Sequence, residues 1–290
     1  MFNKKNIICT LFFLISLSTF AGGGWTKQKG KTYVKVAGWW VESKDFFSGT
    51  GEETSGVTTG LFNVNVYAEY GLTDKLTAIA YVPFYSRSYQ NKRITNGIED
   101  EFLKGGSLDS FGDSEIGLKY QILKSGRFAL AGSVILGLPL GNDGSDETLA
   151  LATGDGEFNQ IIRADLGTSI YNSDETSIYS NVYLGFNNRT DDFSDELRAG
   201  IEIGAGVFKN KLWIIGKFDT IQSLKNGDKQ SSDESASIFA NNAEATTITG
   251  EIAYYFSKKI GINASIANPI SGQSVFNAPA YSAGIFLDIK

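Results

Sequence analysis

The sequence predicts an all-β protein: a transmembrane up-and-down antiparallel β-barrel of about twelve strands. Three observations support this prediction. Apolar and polar residues alternate along many segments, short turns and longer polar loops follow one another in strict order, and the composition suits strands. The 290 residues are 13% aromatic and include 33 Gly but only 4 Pro. Such a composition is typical of chains built mainly from strands.

The residue counts also exclude several classes of protein. The chain has no His and a single Cys, Cys9, so it cannot carry a His-dependent catalytic triad, a His-ligated zinc site or an internal disulfide. Its net charge of −6 argues against nucleic acid as a partner. Outer-membrane phospholipase and protease barrels depend on a catalytic His. We therefore expect a protein that is not an enzyme and that has no cofactor.

Two groups of neighbouring carboxylates could suggest a calcium site. Asp143 lies near Asp146, and Asp155 lies near Glu157. Neither group has the spacing of a calcium-binding loop, and stretches rich in Gly and Asp commonly form turns. The sequence therefore predicts no metal site.

Residues 1–21 are predicted to be a secretory signal peptide. Lys4 and Lys5 provide the positive start, residues 7–20 form an apolar run, and cleavage is expected after Ala21. The apolar run is shorter than the ~20 residues that a membrane-spanning helix needs. The expected location of the mature protein is the bacterial outer membrane.

The mature chain is predicted to contain one domain. Residues 22–30 would form a short periplasmic segment, which is too small to be a hatch domain inside a barrel. Residues 31–290 would form the transmembrane barrel.

The strands are identified by a period of two in hydrophobicity. The pattern is clear in residues 62–70 and 196–207, where every second residue is apolar. Alternation of this kind is expected of a strand with one apolar face. The twelve predicted strands cover residues 31–42, 57–70, 75–88, 110–123, 127–140, 157–171, 176–187, 196–208, 211–222, 237–256, 259–269 and 279–290.

The connections alternate between two lengths. Very short turns follow the even-numbered strands, and longer polar loops follow the odd-numbered strands. Outer-membrane barrels have short periplasmic turns, longer external loops and an even number of strands, whereas Greek-key sandwiches mix loop lengths at both ends. The predicted turns are residues 71–74, 124–126, 172–175, 209–210 and 257–258, and the predicted loops are residues 43–56, 89–109, 141–156, 188–195, 223–236 and 270–278.

Aromatic residues cluster at the predicted ends of the strands, where interfacial girdles contact outer-membrane lipid. The last strand, residues 281–289, resembles the C-terminal signal read by the barrel-assembly machinery, although the chain ends in Lys290 instead of an aromatic residue. The lipid and this machinery are therefore expected partners. The predicted turn-end girdle consists of Tyr70, Tyr120, Phe128, Tyr171, Phe208, Trp213, Tyr254, Tyr255 and Phe256, and the predicted loop-end girdle of Trp39, Trp40, Phe84 and Tyr85.

Several hairpins resemble those of a known family. Residues 65–77 and 111–120 resemble hairpins of the phenol-degradation MetA-type putative transporters. Residues 137–141, 153–160 and 185–190 resemble the XagA-like subgroup of that family in Bacteroidota. The resemblance covers nearly the whole mature chain. It implies a channel-like barrel and carries no catalytic or ligand-binding residues.

Charged residues on the polar faces of the strands define a predicted lumen. A charge facing lipid near the midplane costs about 2–4 kcal/mol, so these residues are expected to point inward. Along the strands, Arg163 would pair with Asp165, Arg198 with Glu202 and Lys217 with Asp219. The predicted lumen-lining residues are Glu69, Glu115, Lys119, Arg163, Asp165, Arg198, Glu202, Lys217, Asp219 and Glu251.

Two functions fit this lumen. The first is a narrow channel for passive uptake or export of small solutes, including small polar or aromatic compounds. The alternative is a structural or assembly barrel with a closed, salt-bridged lumen, whose external loops bind a surface partner. Conductance in a bilayer separates the two.

Overall fold

The computed structural model describes residues 23–91, 94–95, 98–99, 105–144, 151–229 and 239–289. The predicted signal peptide and its cleavage site lie outside the described residues, as does Lys290. Within the described part of the chain, no helix is long and apolar enough to cross a membrane.

Twelve long strands form the body of the protein. Each is separated from the next by a turn or loop, and neighbours in sequence are neighbours in space. The strands are β1 (Thr32–Phe47), β2 (Glu53–Gly71), β3 (Leu76–Gln90), β4 (Ser114–Ser125), β5 (Phe128–Leu138), β6 (Asn159–Asn172), β7 (Ser177–Arg189), β8 (Glu196–Val207), β9 (Leu212–Ser223), β10 (Glu244–Tyr255), β11 (Ile260–Gln273) and β12 (Ala280–Ile289).

The sheet closes on itself. All neighbouring strands pair antiparallel, and β1 pairs with both β2 and β12, from Thr32 opposite Ile289 to Trp40 opposite Tyr281. A closed barrel leaves no edge strand with unpaired backbone groups, which is what a bilayer requires. The predicted fold class, a twelve-stranded up-and-down barrel, is confirmed.

Three short additions, built from four segments, extend this framework. Gly106–Ser110 lengthens the sheet beside β3, and Val275–Phe276 pairs with the end of β1. Ile94–Thr95 and Ile98–Glu99 form a separate two-stranded ladder in the connection after β3. All three lie at the end of the barrel that carries the longer connections, here called the loop end. The opposite end, with the short connections, is the turn end.

The first predicted loop, residues 43–56, is mostly strand. β1 runs on to Phe47 and β2 starts at Glu53, so only five residues connect them. Polar residues and Gly dominate this stretch and hide the alternation, but Phe47 is buried and pairs with Val275. The predicted start of the tenth strand at residue 237 is also wrong, because the described residues 239–243 form a turn before Glu244.

The exterior carries a belt of exposed aliphatic side chains. Leu184, Ile252 and Ile285 are 62%, 56% and 60% exposed, and each occupies an outward position of its strand. Such a continuous apolar surface on a polar-cored barrel is suited to lipid rather than to water.

Aromatic residues at the strand ends divide between the two faces. Most of the predicted turn-end girdle is exposed on the exterior, as are Trp40 and Phe84 at the loop end. Trp213 and Tyr255 are corrections, because they are only 2% and 5% exposed and pack inside the barrel. Trp39 also packs against an interior cluster, that of Val41, Leu61 and Phe276.

The two barrel ends can be assigned by labelling single Cys residues in a Cys9→Ser background. Asp228, in the connection after β9, and Lys258, in the turn after β10, are both exposed but lie at opposite ends. If the loop end faces the medium, an impermeant thiol reagent will label Asp228→Cys on intact cells. Lys258→Cys will react only after lysis. Labelling of Lys258→Cys alone on intact cells would reverse the assigned topology.

Candidate functional site

The candidate site is a cavity of about 350 Å³ inside the barrel, in the half nearer the turn end. Eight of the ten predicted lumen-lining residues border it; Arg198 and Asp219 lie on the inner face closer to the loop end. Lys27 and Lys35, which were not among the predicted residues, also border it. Acidic and basic side chains are therefore equal in number around this cavity, whereas the ten predicted residues comprise six acids and four bases. Its charged lining residues are Lys27, Lys35, Glu69, Glu115, Lys119, Arg163, Asp165, Glu202, Lys217 and Glu251.

One ion pair spans the wall made by β2, β3 and β4. The Lys119 ammonium lies 3.6 Å from Glu69 Oε1, and both side chains are almost fully buried. The Tyr67 hydroxyl donates a hydrogen bond of 2.6 Å to the same Glu69 oxygen. A buried charge is costly unless it is paired and hydrogen-bonded, and Glu69 meets both conditions.

A second group of charges joins β8, β9 and β10. The Lys217 ammonium lies 3.3 Å from Glu202 and 2.9 Å from Glu251. The Tyr179 hydroxyl donates to Glu202 at 2.6 Å, and the Asn263 amide donates to Glu251 at 3.1 Å. Lys217 therefore pairs with residues of the neighbouring strands and not with Asp219, the predicted partner two residues along its own strand. Directly opposite residues in a ladder lie closer together than residues i and i+2.

A third group lies on β6, β7 and β9. The Arg163 guanidinium binds both carboxylate oxygens of Asp165, at 2.9 and 2.7 Å, and lies 3.7 Å from the centre of the Tyr183 ring. The Tyr183 hydroxyl donates to Asp219 at 2.8 Å. This arrangement fixes a planar cation against an aromatic face, which is a geometry that Arg favours.

Arg198 differs from its predicted pairing. Its guanidinium contacts Glu196 at 2.6 Å, whereas Glu202 is occupied by Tyr179 and Lys217. Arg198 and Glu196 therefore pair with each other nearer the loop end, and neither borders the cavity.

The segment before β1 lies within the turn end of the barrel instead of projecting from it. The Gly24 amide donates to Asn181 Oδ1 at 2.9 Å, and the Gly24 carbonyl accepts from the Gln121 side chain at 2.8 Å. Farther along, the Lys27 ammonium forms an ion pair of 3.2 Å with Asp288. Residues 23–27 thus connect strands on different sides of the barrel.

Trp25 anchors this segment. Its ring meets Tyr179 edge to face, with the centroids 6.3 Å apart, and it packs on an inner cluster of large side chains. A Cβ at Gly167 would overlap the indole ring, so Gly167 is required for Trp25 to sit against β6. The turn end of the lumen is narrowed by aromatic packing rather than by charges. The cluster consists of Tyr179, Trp213, Ile215, Ala253, Tyr255 and Phe286.

At the loop end, Arg189 is the centre of a buried charge cluster. Its side chain is 4% exposed and its guanidinium binds Glu157 at 2.7 Å, Asp155 at 2.9 Å and Glu196 at 2.9 Å. The guanidinium also lies 4.3 Å from the centre of the Phe193 ring. Asp155 and Glu157, considered above as a calcium pair, are therefore bound to Arg189. Asp146 lies outside the described residues.

Asp113, in the connection before β4, holds the adjacent loop. Its carboxylate accepts hydrogen bonds from the backbone amides of Gly141, at 2.9 Å, and Asp155, at 2.7 Å. Burial, followed by the negative charge of Asp155, raises the pKa of Asp113 to about 7. Within the described residues, no group of three or more His, Cys, Asp or Glu side chains is placed to hold a metal ion.

A closed antiparallel barrel with an apolar exterior and a polar lumen defines the outer-membrane β-barrel class. The solved structures similar to this chain belong to that class. The COG4313 outer membrane channel from Pseudomonas putida F1 has a TM-score of 0.57 and 14% sequence identity, covering 93% of this chain and all of the other. The KdgM porin has a TM-score of 0.46 and 9% identity, covering 89% of this chain and 99% of its own. At such identities the likeness shows the fold alone.

Neither a protein-family model nor a curated protein sequence matches the chain.

Arg189 is expected to be essential for the stability of the loop end. Arg189→Met leaves Asp155, Glu157 and Glu196 without their shared cation, and breaking a buried pair of this kind costs about 3–5 kcal/mol. The free energy of unfolding in detergent, measured by urea denaturation, should fall by this amount. Arg87→Met is the matched control, because the Arg87–Asp109 pair is about half exposed and should contribute at most about 1 kcal/mol. Equal losses in the two variants would contradict this assignment.

The raised pKa of Asp113 predicts a pH dependence of stability. Between its ordinary value near 4 and the folded value near 7, the folded protein binds a proton that the unfolded chain has released. The free energy of unfolding should therefore decrease as pH rises from about 4 to about 7 and level off above. Subtracting the profile of Asp113→Asn from that of the wild type isolates this effect. Asp109→Asn, at an exposed carboxylate, should retain it.

Proposed function

We propose that the protein is an outer-membrane channel for small solutes. The observation that carries the proposal is the placement of charged side chains around a cavity inside a closed barrel, where Arg163, Lys217 and Glu202 keep about a quarter to a third of their side-chain surface exposed. A barrel serving only as a scaffold could fill this space with apolar side chains at lower cost, because buried ion pairs contribute little net stability.

The competing function is a structural or assembly barrel with a closed lumen. Two features favour it: residues 23–27 occupy the turn end, and most of the charges around the cavity are already paired. The paired charges nevertheless leave a cavity instead of meeting at the barrel axis. We therefore favour the channel over the closed barrel.

The remaining expectations belong to the same proposal. The signal peptide would be removed after Ala21, the turn end would face the periplasm, and the barrel-assembly machinery would insert the chain into outer-membrane lipid. The chain would be related to the XagA-like subgroup of MetA-type transporters. It would carry solutes without catalysing a reaction and without a cofactor.

Single-channel recording in a planar bilayer tests the proposal. Mature protein that is shown to be folded by its heat-modifiable migration on a gel should produce discrete ohmic steps. A folded sample that stays silent over repeated insertions would rule out the channel and support the closed barrel.

The segment at the turn end should restrict this conductance. Deleting residues 23–29 removes Trp25 from the aromatic cluster and Lys27 from Asp288, so larger current steps are expected. Gly167→Val should have the same direction of effect, because its side chain would displace the Trp25 ring. Trp40→Ala, which truncates an exposed ring on the lipid side, is the control and should conduct as the wild type. Unchanged steps in the deletion would show that this segment does not lie in the conducting path.

A further inference from the structure

Four inward-facing side chains on neighbouring strands form one row across the wall of the cavity. The ladders place Lys35 of β1 opposite Tyr67 of β2, Tyr67 opposite Tyr81 of β3, and Tyr81 opposite Glu115 of β4. The row therefore reads cation, ring, ring, anion. Lys35, Tyr67 and Glu115 all border the cavity. We call these four residues the Lys35–Glu115 row.

The two charges at the ends of this row differ from the other charges around the cavity. The eight others are all engaged in ion pairs that lie between 2.7 and 3.6 Å. Among the described residues, the side chains of Lys35 and Glu115 form neither a hydrogen bond nor an ion pair. Glu251, whose charge acts on Lys35, is already bound to Lys217 and to Asn263.

The charges that act on Glu115 are those of Arg198 and Arg163. Both of these guanidinium groups are bound elsewhere, to Glu196 and to Asp165. The lumen therefore presents one available cation and one available anion at the two ends of one row across the strands. A partly desolvated charge without a partner is costly, and a solute of opposite charge at that position would offset the cost.

We propose that the Lys35–Glu115 row is a binding subsite for short zwitterionic solutes of about the length of a dipeptide. This inference rests on the proposed function and names the class of solute. The solute's carboxylate would contact the Lys35 ammonium, and its own ammonium would contact the Glu115 carboxylate. Its backbone would lie along the Tyr67 ring, which borders the cavity and offers an apolar surface, with Tyr81 as the next residue of the row.

The spacing of the row selects the length of the solute. Adjacent strands lie about 4.8 Å apart, so three strand intervals separate the Cα atoms of Lys35 and Glu115 by roughly 14 Å along the wall. The long Lys stem and the Glu side chain both shorten the distance between the charged groups. A dipeptide separates its two charges by one residue more than a free amino acid does, and it is therefore the solute length chosen for the test.

Equilibrium binding to the purified protein in detergent tests the subsite independently of conduction. Glycylglycine is the probe, titrated by calorimetry, and two capped analogues are its controls. N-acetyl-glycylglycine lacks the ammonium, and glycylglycinamide lacks the carboxylate. A charged hydrogen bond contributes enough for each capped analogue to bind the wild type at least about tenfold more weakly. Equal binding of all three compounds would overturn the proposal.

Two variants assign each charge to its end of the solute. In Lys35→Met, glycylglycine should weaken about tenfold and bind no better than glycylglycinamide, because the carboxylate has lost its partner. In Glu115→Gln, glycylglycine should bind no better than its acetylated form. Variants that merely disturbed folding would not produce these two different losses of discrimination. Lys75→Met and Glu175→Gln, at exposed positions of the turn end, are the matched controls and should retain wild-type discrimination.

Conductance of the same samples separates the two proposals. Binding of glycylglycine by a protein that does not conduct would support the subsite and contradict the channel. If the protein conducts but does not bind glycylglycine, the channel is supported and the subsite is contradicted. The same holds if Lys35→Met conducts and still binds glycylglycine more tightly than glycylglycinamide.

Discussion

The structure depends on the pairing of β1 with β12. In a bilayer every backbone amide and carbonyl of a strand needs a partner within the protein, and only a closed sheet provides this for the first and last strands. Once Thr32 lies opposite Ile289, the pleat assigns every side chain to the lipid or to the lumen. A slip of one residue would exchange these faces. It would carry Lys35 into lipid, at a cost of about 2–4 kcal/mol near the midplane, and draw Val36 into the lumen.

The same alternation explains how much of the fold the sequence could predict. Period-two patterns located all twelve strands, and the alternation of short and long connections established the meander. The residues of the inner face were predicted less completely. Trp213 and Tyr255 share the parity of Lys217 and Glu251, so continuing the alternation along β9 and β10 would have placed both rings inside. Their position near a tight turn favoured the girdle interpretation instead.

The charge pairs were harder to predict than the strands. Whether Lys217 meets Asp219 or Glu202 depends on the register between β8 and β9. The two-residue turn predicted at 209–210 indicated this register, because it sets residue 208 opposite residue 211 and therefore Glu202 opposite Lys217, as the structure shows. The predicted pairing within one strand did not use that signal. The inward position of Lys35 could have been predicted, because Lys35 has the same parity as Tyr33 and Ala37 on β1. The position of Lys27 could not be predicted from strand alternation, since Lys27 precedes the first strand. The cluster around Arg189 depends on three carboxylates that come together only after the connections at the loop end have folded.

The segment before β1 also has a consequence for biogenesis. Its partners are Thr77 on β3, Gln121 on β4, Asn181 on β7 and Asp288 on β12. One of the four, Asp288, lies on the last strand, so the complete set of contacts exists only once β12 is in place. A segment that precedes the first strand therefore completes its contacts only after the last strand has been placed. Its full docking is a feature of the finished barrel and of no shorter part of the chain.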